Sequence, residues 1–210
     1  YLASIVGTNQ DVFSWLLIVL AFILLFGYRR VRSMMGYPTI LPVGIDIDGV
    51  LGEQVIPVLA RIKERKRIGV GLTKDNITEW DLAIDGSSID KEIEEALLDP
   101  EYVREMPVMQ GSTTAMSELS KSLHIIITTN RPLETETETI AWLKGHFPKS
   151  YHEYANTRIF GKETLGLRVL VDDYLGNVKR FASAGGTVLL FSQPWNQSQD
   201  TELEELMRAG

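Results

Sequence analysis

Residues 44–51 read Gly-Ile-Asp-Ile-Asp-Gly-Val-Leu, and they continue a short apolar run that begins at Pro42. If this run is a strand, its two-residue period sends the side chains of Asp46 and Asp48 to the same side and the residue between them to the other. Two carboxylates then stand together at the carboxyl end of a strand. Such a pair can attack an electrophile, move a proton and help to hold a hard cation such as Mg²⁺.

The rest of the chain indicates how this stretch is built into a sheet. Short apolar runs are predicted as strands, and their apolarity on both faces favours buried parallel strands. They lie at residues 43–47, 123–129, 167–171 and 187–191, with a further short strand at 158–160. Helical patterns alternate with them at residues 112–122, 133–146 and 175–184. This alternation predicts an α/β fold with a doubly wound parallel sheet, which binds ligands at the carboxyl ends of its strands.

One connection is much longer than the others. Residues 53–106 separate the first predicted strand from the second, which is too long for a simple strand-to-helix connection. Their pattern is mostly helical, with a basic stretch over 55–67 and an acidic amphipathic stretch over 90–98 that Asp99-Pro100 ends. We therefore predict that residues 53–106, called the cap segment below, form a small helical cap inserted after the first strand.

The amino-terminal segment predicts a transmembrane helix. Residues 12–28 contain no charged side chain, and three arginines follow between positions 29 and 32. Such a segment is just long enough to span a bilayer, and the arginines place its carboxyl side in the cytoplasm. A buried core helix is the alternative. The predicted organisation is a membrane anchor and linker over 1–38, a cytoplasmic domain over 39–197 and an acidic tail over 198–210.

Composition excludes several kinds of chemistry. The 210 residues include no cysteine, which excludes a disulfide, a thiol nucleophile and a cysteine-based zinc site. With three histidines, a histidine-rich metal site is disfavoured. The formal net charge of −7 argues against a nucleic-acid polymer as a partner. A small phosphorylated ligand stays compatible with that charge, because local charge can oppose net charge.

Polar residues follow the predicted strands at the points where a parallel sheet brings its strand ends together. Besides the first aspartate pair they are Thr129-Asn130-Arg131-Pro132, Lys162 and Asp172-Asp173. A carboxylate can attack a phosphoryl group, and a hydroxyl, backbone N–H groups and an ammonium can bind its oxygens. Packed carboxylates repel one another, and a divalent cation together with a lysine relieves that repulsion. The set predicts phosphoryl transfer.

In this order, the groups resemble the four motifs of the haloacid dehalogenase (HAD) superfamily: Asp-Ile-Asp-Gly-Val, Thr-Asn-Arg-Pro, a lone lysine and an Asp-Asp pair. Two further stretches resemble the 5'-nucleotidase family related to the 5'(3')-deoxyribonucleotidases. They are Leu-Thr-Lys-Asp-Asn-Ile-Thr-Glu-Trp-Asp-Leu at 72–82 and Phe-Ser-Gln-Pro-Trp-Asn-Gln at 191–197. The resemblance covers residues 43–197 and implies a Rossmann-like, three-layer α/β/α fold with a cap.

The resemblance also implies catalytic roles for the first aspartate pair. Asp46 resembles the nucleophile, which forms an aspartyl-phosphate, and Asp48 resembles the general acid/base. Superfamily members that are not phosphatases often lack a carboxylate at the second position. The presence of Asp48 therefore favours hydrolysis of a phosphate ester.

Further roles concern the phosphate and the cofactor. Thr129 and Asn130 resemble the phosphate-binding motif, with Thr128 as an alternative shifted by one residue, and Lys162 resembles the charge-stabilising lysine. The implied cofactor is Mg²⁺. Its implied ligands are Asp46, Asp172 and the backbone carbonyl of Asp48, with Asp173 as a second acid nearby.

Two residues and the substrate are left with alternatives. Arg131 either contacts substrate or forms a structural salt bridge, and Trp80 either lines the substrate pocket or packs the cap on the core. The implied substrate is a small phosphorylated metabolite, with a nucleoside monophosphate favoured. The alternatives are a sugar or lipid phosphate, or a non-catalytic, membrane-tethered interaction domain on the same fold. The sequence leaves the oligomeric state open.

Overall fold

The computed structural model describes residues 14–20, 42–66, 71–84 and 86–197. Its central element is a five-stranded sheet in which all neighbouring strands are parallel. The spatial order of the strands is β5-β4-β1-β6-β7. These strands are β1 (Pro42–Asp46), β4 (His124–Thr129), β5 (Glu153–Asn156), β6 (Val169–Asp172) and β7 (Thr187–Leu190). The predicted α/β fold with a parallel sheet is confirmed.

Helices connect these strands. Residues 14–20 are helical and are called α1. The cap segment contributes α2 (Val55–Lys66), α3 (Ile89–Leu97) and α4 (Pro100–Glu105), together with a two-stranded antiparallel hairpin of β2 (Ala83–Ile84) and β3 (Ser87–Ser88). The remaining helices are α5 (Ser112–Leu119), α6 (Glu136–His146) and α7 (Leu175–Ser183). Short 3-10 turns lie at Lys74–Asn76, Leu133–Thr135, Lys162–Leu165 and Pro194–Asn196.

Both faces of the sheet are covered by helices. Ile45 of β1 and Val171 of β6 are buried in one apolar cluster with side chains of α5 and α6. Leu170, which points to the opposite face of β6, is buried in a different cluster with Phe181 of α7. The sheet therefore lies between two helical layers, which explains why its inner strands are apolar on both faces.

The cap segment has an apolar core of its own. Buried side chains of α2, α3 and α4 form a cluster separate from those of the sheet. Trp195, in the 3-10 turn after β7, is buried in this same cluster, and its ring centroid lies 4.6 Å from that of Trp80. The loop after the last strand of the sheet thus packs into the cap segment.

The two ends of the cap segment lie side by side. The N–H of Glu53 donates to the carbonyl of Pro107 at 2.8 Å, and the N–H of Met109 donates to the carbonyl of Leu51 at 2.7 Å. An antiparallel bridge joins the chain between these bonds. The chain therefore leaves the sheet and returns to it at one place, directly after β1.

The predicted transmembrane helix, residues 12–28, falls only partly within the described residues. Its described part, α1, buries Trp15 and Ile18 in the cluster that contains α5, and the Trp15 ring lies 5.3 Å from that of Phe191. One face of α1 thus packs on the core, as the alternative of a buried core helix requires, whereas Leu16, Leu17 and Leu20 on the same helix are 61%, 49% and 52% exposed. In the described ranges, no helix is both long and apolar enough to cross a bilayer. The rest of the anchor, the linker up to residue 38 and the acidic tail lie outside the described residues and stay predictions.

One strand differs from its prediction. The strand beside β4 is β5 at Glu153–Asn156, whereas the sequence predicted residues 158–160. Ile159 and Phe160 are instead 81% and 50% exposed in the loop that follows. The reason is that β5 lies at the edge of the sheet, where its side chains are partly exposed and form no apolar run.

Candidate active site

The ends of three neighbouring strands form the framework of the site. Asp46 is the last residue of β1, Thr129 the last of β4 and Asp172 the last of β6. In the parallel register, Asp46 stands beside Thr128. The sheet thus brings the predicted carboxylates and the predicted phosphate-binding motif to one edge, because all three strands run in the same direction.

Lys162 lies between two buried carboxylates. Its Nζ is 2.8 Å from Oδ1 of Asp46 and 2.6 Å from Oδ2 of Asp172, and its side chain is 1% exposed. Burial alone would lower the pKa of Lys162, but the charges of Asp172 and Asp46 outweigh burial and raise that pKa above its ordinary value. Lys162 is therefore held as a cation at neutral pH.

Asp46 is buried but lines a cavity. Its Oδ1 accepts a hydrogen bond from the N–H of Ile47 at 2.8 Å, in addition to the contact with Lys162. Burial raises the pKa of Asp46 to about 7; Lys162 opposes this shift, and the charges of Asp172 and Asp48 add to it. The carboxyl group thus holds its proton more tightly than an ordinary aspartate before any cation binds.

Asp172 is fully enclosed by protein donors. Besides Lys162, its carboxylate accepts hydrogen bonds from Nδ2 of Asn177 at 3.1 Å and 3.3 Å and from the N–H of Tyr174 at 2.9 Å. Its relative exposure is 0%. These contacts give Asp172 the surroundings of a residue that holds Lys162 and the start of α7.

Asp173 has different surroundings from its neighbour. It lines the same cavity as Asp46, and its Oδ2 accepts a hydrogen bond from Nε1 of Trp195 at 2.8 Å. Burial, with the charges of Asp172 and Asp46, raises the pKa of Asp173 well above its ordinary value. Gly49 has a positive φ of 76°, and a Cβ at this position would overlap the Asp173 carboxylate. The motif glycine therefore makes room for Asp173.

The three carboxylates fit a divalent cation. One carboxylate oxygen from each of Asp46, Asp172 and Asp173 can be chosen so that all three lie within 4.8 Å of one another. A set of oxygen donors suits a hard cation such as Mg²⁺. Burial is the main cause of the raised pKa values of Asp46 and Asp173, and repulsion among the carboxylates adds to the shift. A bound cation would offset that repulsion.

Asp48 forms a two-point ion pair with Arg131. Nε of Arg131 donates to Oδ2 of Asp48 at 2.8 Å, and Nη2 donates to Oδ1 at 2.7 Å. The Arg131 side chain is 1% exposed and that of Asp48 is 16% exposed. The structure thus contains the salt bridge expected of Arg131, and the same residue lines the cavity described below, so contact with substrate stays a prediction.

The hydroxyl groups at the end of β4 are completely buried. Oγ1 of Thr129 accepts a hydrogen bond from the N–H of Arg131 at 3.2 Å. Oγ1 of Thr128 has no hydrogen-bond partner among the described residues. Asn130 lines the cavity, and its Oδ1 accepts a hydrogen bond from Oγ1 of Thr157 at 2.7 Å. Both threonines stay candidates for the phosphate-binding hydroxyl.

A cavity of about 220 Å³ lies between the strand ends and the cap segment. Asp46, Asp48 and Asp173 line this cavity. Trp80 lines it as well and also packs on Trp195, so its position is compatible with both roles predicted for it. The cap segment also supplies apolar and acidic side chains, namely Ile93, Leu97, Asp90 and Glu94. Arg158, which follows β5, also lines the cavity and forms an ion pair with Glu94.

Sequence reasoning missed several residues that support or line the site. Nε2 of Gln193 donates to the carbonyl of Gly49 at 2.6 Å, and Nδ2 of Asn196 donates to the carbonyl of Asp173 at 2.8 Å. The stretch 191–197 carried a family-like signal, but nothing in it distinguished Gln193. Asn177 and Arg158 had no signal at all, because their importance arises from contacts with residues distant in the chain.

Comparison with known proteins gives one family. The family model described as "5' nucleotidase, deoxy (Pyrimidine), cytosolic type C protein" matches residues 39–208. No curated protein matches the chain.

Several solved structures are similar to this one. A haloacid dehalogenase-like hydrolase from Streptococcus pneumoniae has 14% sequence identity and a TM-score of 0.49, with 81% of this chain and 99% of that chain covered. A HAD-superfamily hydrolase from Geobacter sulfurreducens has 18% identity and a TM-score of 0.46, with 71% and 88% covered. A haloacid dehalogenase-like family hydrolase from Xanthomonas campestris has 14% identity and a TM-score of 0.46, with 77% and 86% covered.

Proposed function

This chain belongs to the family of 5'-nucleotidases described as deoxy (pyrimidine), cytosolic type C, and it is a HAD-type phosphatase; from this premise we propose that it hydrolyses nucleoside monophosphates with the help of Mg²⁺. The observation that carries the proposal is the environment of Asp46. This carboxylate lines a cavity, is backed by Lys162 and lies beside a second carboxylate, Asp48. A nucleophile, a fixed positive charge and a proton carrier are the groups that transfer of a phosphoryl group to water requires.

In the first half of the proposed reaction, Asp46 attacks phosphorus. Its Oδ1 is engaged by Lys162 and the N–H of Ile47, which leaves Oδ2 as the attacking atom. A bond forms between Oδ2 and phosphorus, and the bond between phosphorus and the ester oxygen breaks. Asp48, which enters this step protonated, gives its proton to that oxygen and becomes a carboxylate, and the alcohol leaves. The product on the protein is an aspartyl-phosphate.

In the second half of the proposed reaction, water hydrolyses the aspartyl-phosphate. Asp48 takes a proton from the water as its oxygen attacks phosphorus, and the bond from phosphorus to Oδ2 of Asp46 breaks. Inorganic phosphate leaves, and both carboxylates return to their starting forms. Lys162 keeps its charge throughout, and the hydroxyl of Thr129 or Thr128, Asn130 and backbone N–H groups beside them are the proposed phosphate donors.

The proposed Mg²⁺ ligands are Asp46, Asp173 and the backbone carbonyl of Asp48. When bound, the cation would supply positive charge for the phosphate group and would offset the repulsion between the carboxylates. The family resemblance assigned Asp172 to this role, and Asp172 does belong to the same acidic group. We favour Asp173 because it lines the cavity, whereas Asp172 is enclosed by Lys162 and Asn177.

The proposed substrate class rests on family membership and is compatible with the cavity. Trp80 offers an aromatic surface to a base, and Asp90 and Glu94 offer hydrogen-bond acceptors to its amino groups. Sugar and lipid phosphates are the competing substrates. Attachment to a membrane through residues 12–28, with the domain in the cytoplasm, remains a prediction.

The test is phosphate release by the purified chain. The panel contains nucleoside 5'- and 3'-monophosphates, sugar phosphates and lipid phosphates, each with Mg²⁺ and with a chelator. We expect release from nucleoside monophosphates that needs Mg²⁺ and that Asp46→Asn abolishes. Asp75→Asn is the matched control, because Asp75 is an exposed carboxylate of the cap segment.

The other outcomes separate the alternatives. If phosphate is released only from sugar or lipid phosphates, the proposed substrate class is wrong but the proposed reaction mechanism still holds. Wild-type activity in Asp46→Asn would contradict the assignment of the nucleophile. Failure of the wild-type chain to release phosphate from any ester would favour an interaction domain.

A further inference from the structure

Arg131 is a buried cation, and the proposed reaction gives it no role. It is one of the largest fully buried side chains of the described residues. A buried guanidinium is costly unless acceptors surround it, and removal of its partner would leave an uncompensated charge. The contacts of the Arg131 guanidinium therefore indicate which role this buried charge has in the protein.

Each nitrogen atom of the guanidinium donates to a protein acceptor. Nε and Nη2 donate to the two oxygens of Asp48, at 2.8 Å and 2.7 Å, and Nη1 donates to Oγ1 of Thr139 at 3.2 Å. The guanidinium carbon lies 5.6 Å from the ring centroid of Trp142. Because Thr139 and Trp142 both belong to α6, a helix of the core fixes the plane of the guanidinium.

The backbone of Arg131 is fixed as well. Its N–H donates to Oγ1 of Thr129 at 3.2 Å, and its carbonyl accepts a hydrogen bond from Nδ2 of Asn156 at 3.0 Å. These partners end β4 and β5, so the residue is tied to the sheet at both its backbone groups. Arg131 is thus a rigid support, and it does not belong to the cap segment.

Asp48, by contrast, stands on a turn. The N–H groups of Leu51 and Gly52 both donate to the carbonyl of Ile47, at 2.8 Å and 2.7 Å, and these bonds shape the backbone around Asp48. They leave the rotation of its side chain free, and a carboxylate on a short side chain has several rotamers. A two-point contact with a planar guanidinium selects one of them and fixes both oxygens.

We propose that Arg131 is a positioning residue, which holds the carboxylate of Asp48 in the orientation that serves the leaving oxygen and the attacking water. The inference rests on the proposed function, in which Asp48 carries the proton. We place its action on Asp48 because Nε and Nη2 both donate to that carboxylate and Nη1 donates to Thr139. Arg131 also lines the cavity, so the experiment below distinguishes this role from direct contact with the phosphate. Proton transfer is sensitive to such placement, because the carrier must lie within hydrogen-bond distance of the reacting oxygen.

The test is a double-mutant cycle on the two residues. Arg131→Ala and Arg131→Lys are each measured alone and together with Asp48→Asn, on the best substrate of the phosphate-release panel. We expect Arg131→Ala to lower kcat by about 10- to 100-fold, because a misplaced Asp48 would lose part of the rate gain that proton transfer provides. KM should change less than about 3-fold. In the Asp48→Asn background the same substitution should change kcat less than about 3-fold, because the residue it positions is already inactive.

Two controls separate positioning from folding. Arg131→Lys keeps the charge and the stem but loses the two-point geometry, so it should recover part of the loss. Thermal unfolding of each variant shows whether it is folded at the assay temperature. If Arg131→Ala is unfolded there, the double-mutant cycle with Arg131→Lys tests the inference instead. Arg104→Ala is the matched control, since Arg104 forms an exposed ion pair with Glu138 and should keep wild-type kcat and KM.

Three results would overturn the inference alone, provided that the wild type releases phosphate and Asp46→Asn does not. They are an equal loss of kcat in both Asp48 backgrounds, a large rise in KM with little change in kcat, and a rise in kcat. The first two indicate direct contact with substrate, and the third indicates that the ion pair restrains the enzyme. Wild-type protein without phosphatase activity, or activity independent of Asp46, would overturn the proposed function and the inference with it.

Discussion

Nε1 of Trp195 donates a hydrogen bond to Oδ2 of Asp173 at 2.8 Å. The rest of the indole is buried in the apolar core of the cap segment, where it packs on Trp80. One side chain therefore contacts both the cap segment and the proposed cation site. Partners that orient a metal ligand in this way commonly contribute 10- to 100-fold to metal affinity.

Trp195→Phe should weaken cation binding with little loss of packing, because it removes the donor and keeps an aromatic ring. We expect the affinity for Mg²⁺ or Mn²⁺ to fall by about 10-fold or more, measured by calorimetric titration. Trp80→Phe is the matched control, since Nε1 of Trp80 has no hydrogen-bond partner among the described residues. Equal cation affinities in the two variants would contradict the proposed role of Asp173.

Gly49→Ala should destabilise the protein more than the loss of a glycine explains. The positive φ of 76° alone costs about 1–2 kcal/mol for any other residue, and the new Cβ also overlaps the Asp173 carboxylate. Gly185→Ala is the control, because Gly185 has a φ of 84° and nothing lies within 4 Å of its added Cβ. Urea unfolding should show a larger decrease in the free energy of unfolding for Gly49→Ala than for Gly185→Ala. Similar decreases in both variants would contradict an overlap with Asp173.

The stability of the cation-free protein should fall between acid and neutral pH. Folding raises the pKa of Asp46 from 3.8 to about 7, so the protonated form is favoured in the folded state. The contribution of Asp46 is therefore fully present below its unfolded pKa and is lost as the pH rises through the folded value. The raised pKa of Asp173 acts in the same direction.

Asp46→Asn isolates this effect, because the other titrating groups are common to both proteins. In a chelator, we expect Asp46→Asn to be more stable relative to wild type at pH 8 than at pH 5, by on the order of 1–3 kcal/mol. Thermal unfolding at the two pH values measures the difference. Saturating Mg²⁺ should reduce the difference at pH 8 by stabilising the wild type. A difference independent of pH would contradict the raised pKa of Asp46.

Lys162→Met should be strongly destabilising because it leaves Asp46 and Asp172 without their shared cation. Removal of one partner from a buried ion pair costs about 3–5 kcal/mol. The loss should be smaller at pH 5 than at pH 8, since Asp46, whose pKa is raised by burial, can then be protonated. Lys121→Met, which breaks an exposed pair with Glu118, should cost less than about 1 kcal/mol in the same denaturant unfolding experiment.

The parts of the fold that follow from the sequence are those with local signals. Runs that are apolar on both faces identify β1 and β6, and their polar ends place Asp46 and Asp172 at one edge of the sheet. The edge strand β5 lacks such a run, because its residues Glu153–Asn156 are partly exposed, and the prediction was displaced to 158–160. Local patterns therefore identify the buried strands better than the edge strand.

The finer geometry of the site depends on contacts between distant parts of the chain. Arg131 and Asp48 are 83 residues apart, and no local pattern in either stretch predicts their ion pair. Asp172 and Asp173 are adjacent, so the sequence cannot tell which of them faces the cavity. That difference arises where the chain leaves β6, with Asn177 on one side and Trp195 on the other.

The side-by-side ends of the cap segment have a consequence for how such an enzyme changes its substrate. The paired backbone bonds Glu53–Pro107 and Leu51–Met109 confine both junctions to one narrow site. Recombination could replace the whole segment between them, and neither the strands of the sheet nor Asp46 and Asp48 would have to move. The segment that contains Lys162 could not be exchanged in this way, because it connects β5 to β6, which are not neighbours in the sheet. Evolution can therefore exchange the cap segment, which we propose selects the leaving group, while the proposed phosphate chemistry is inherited unchanged.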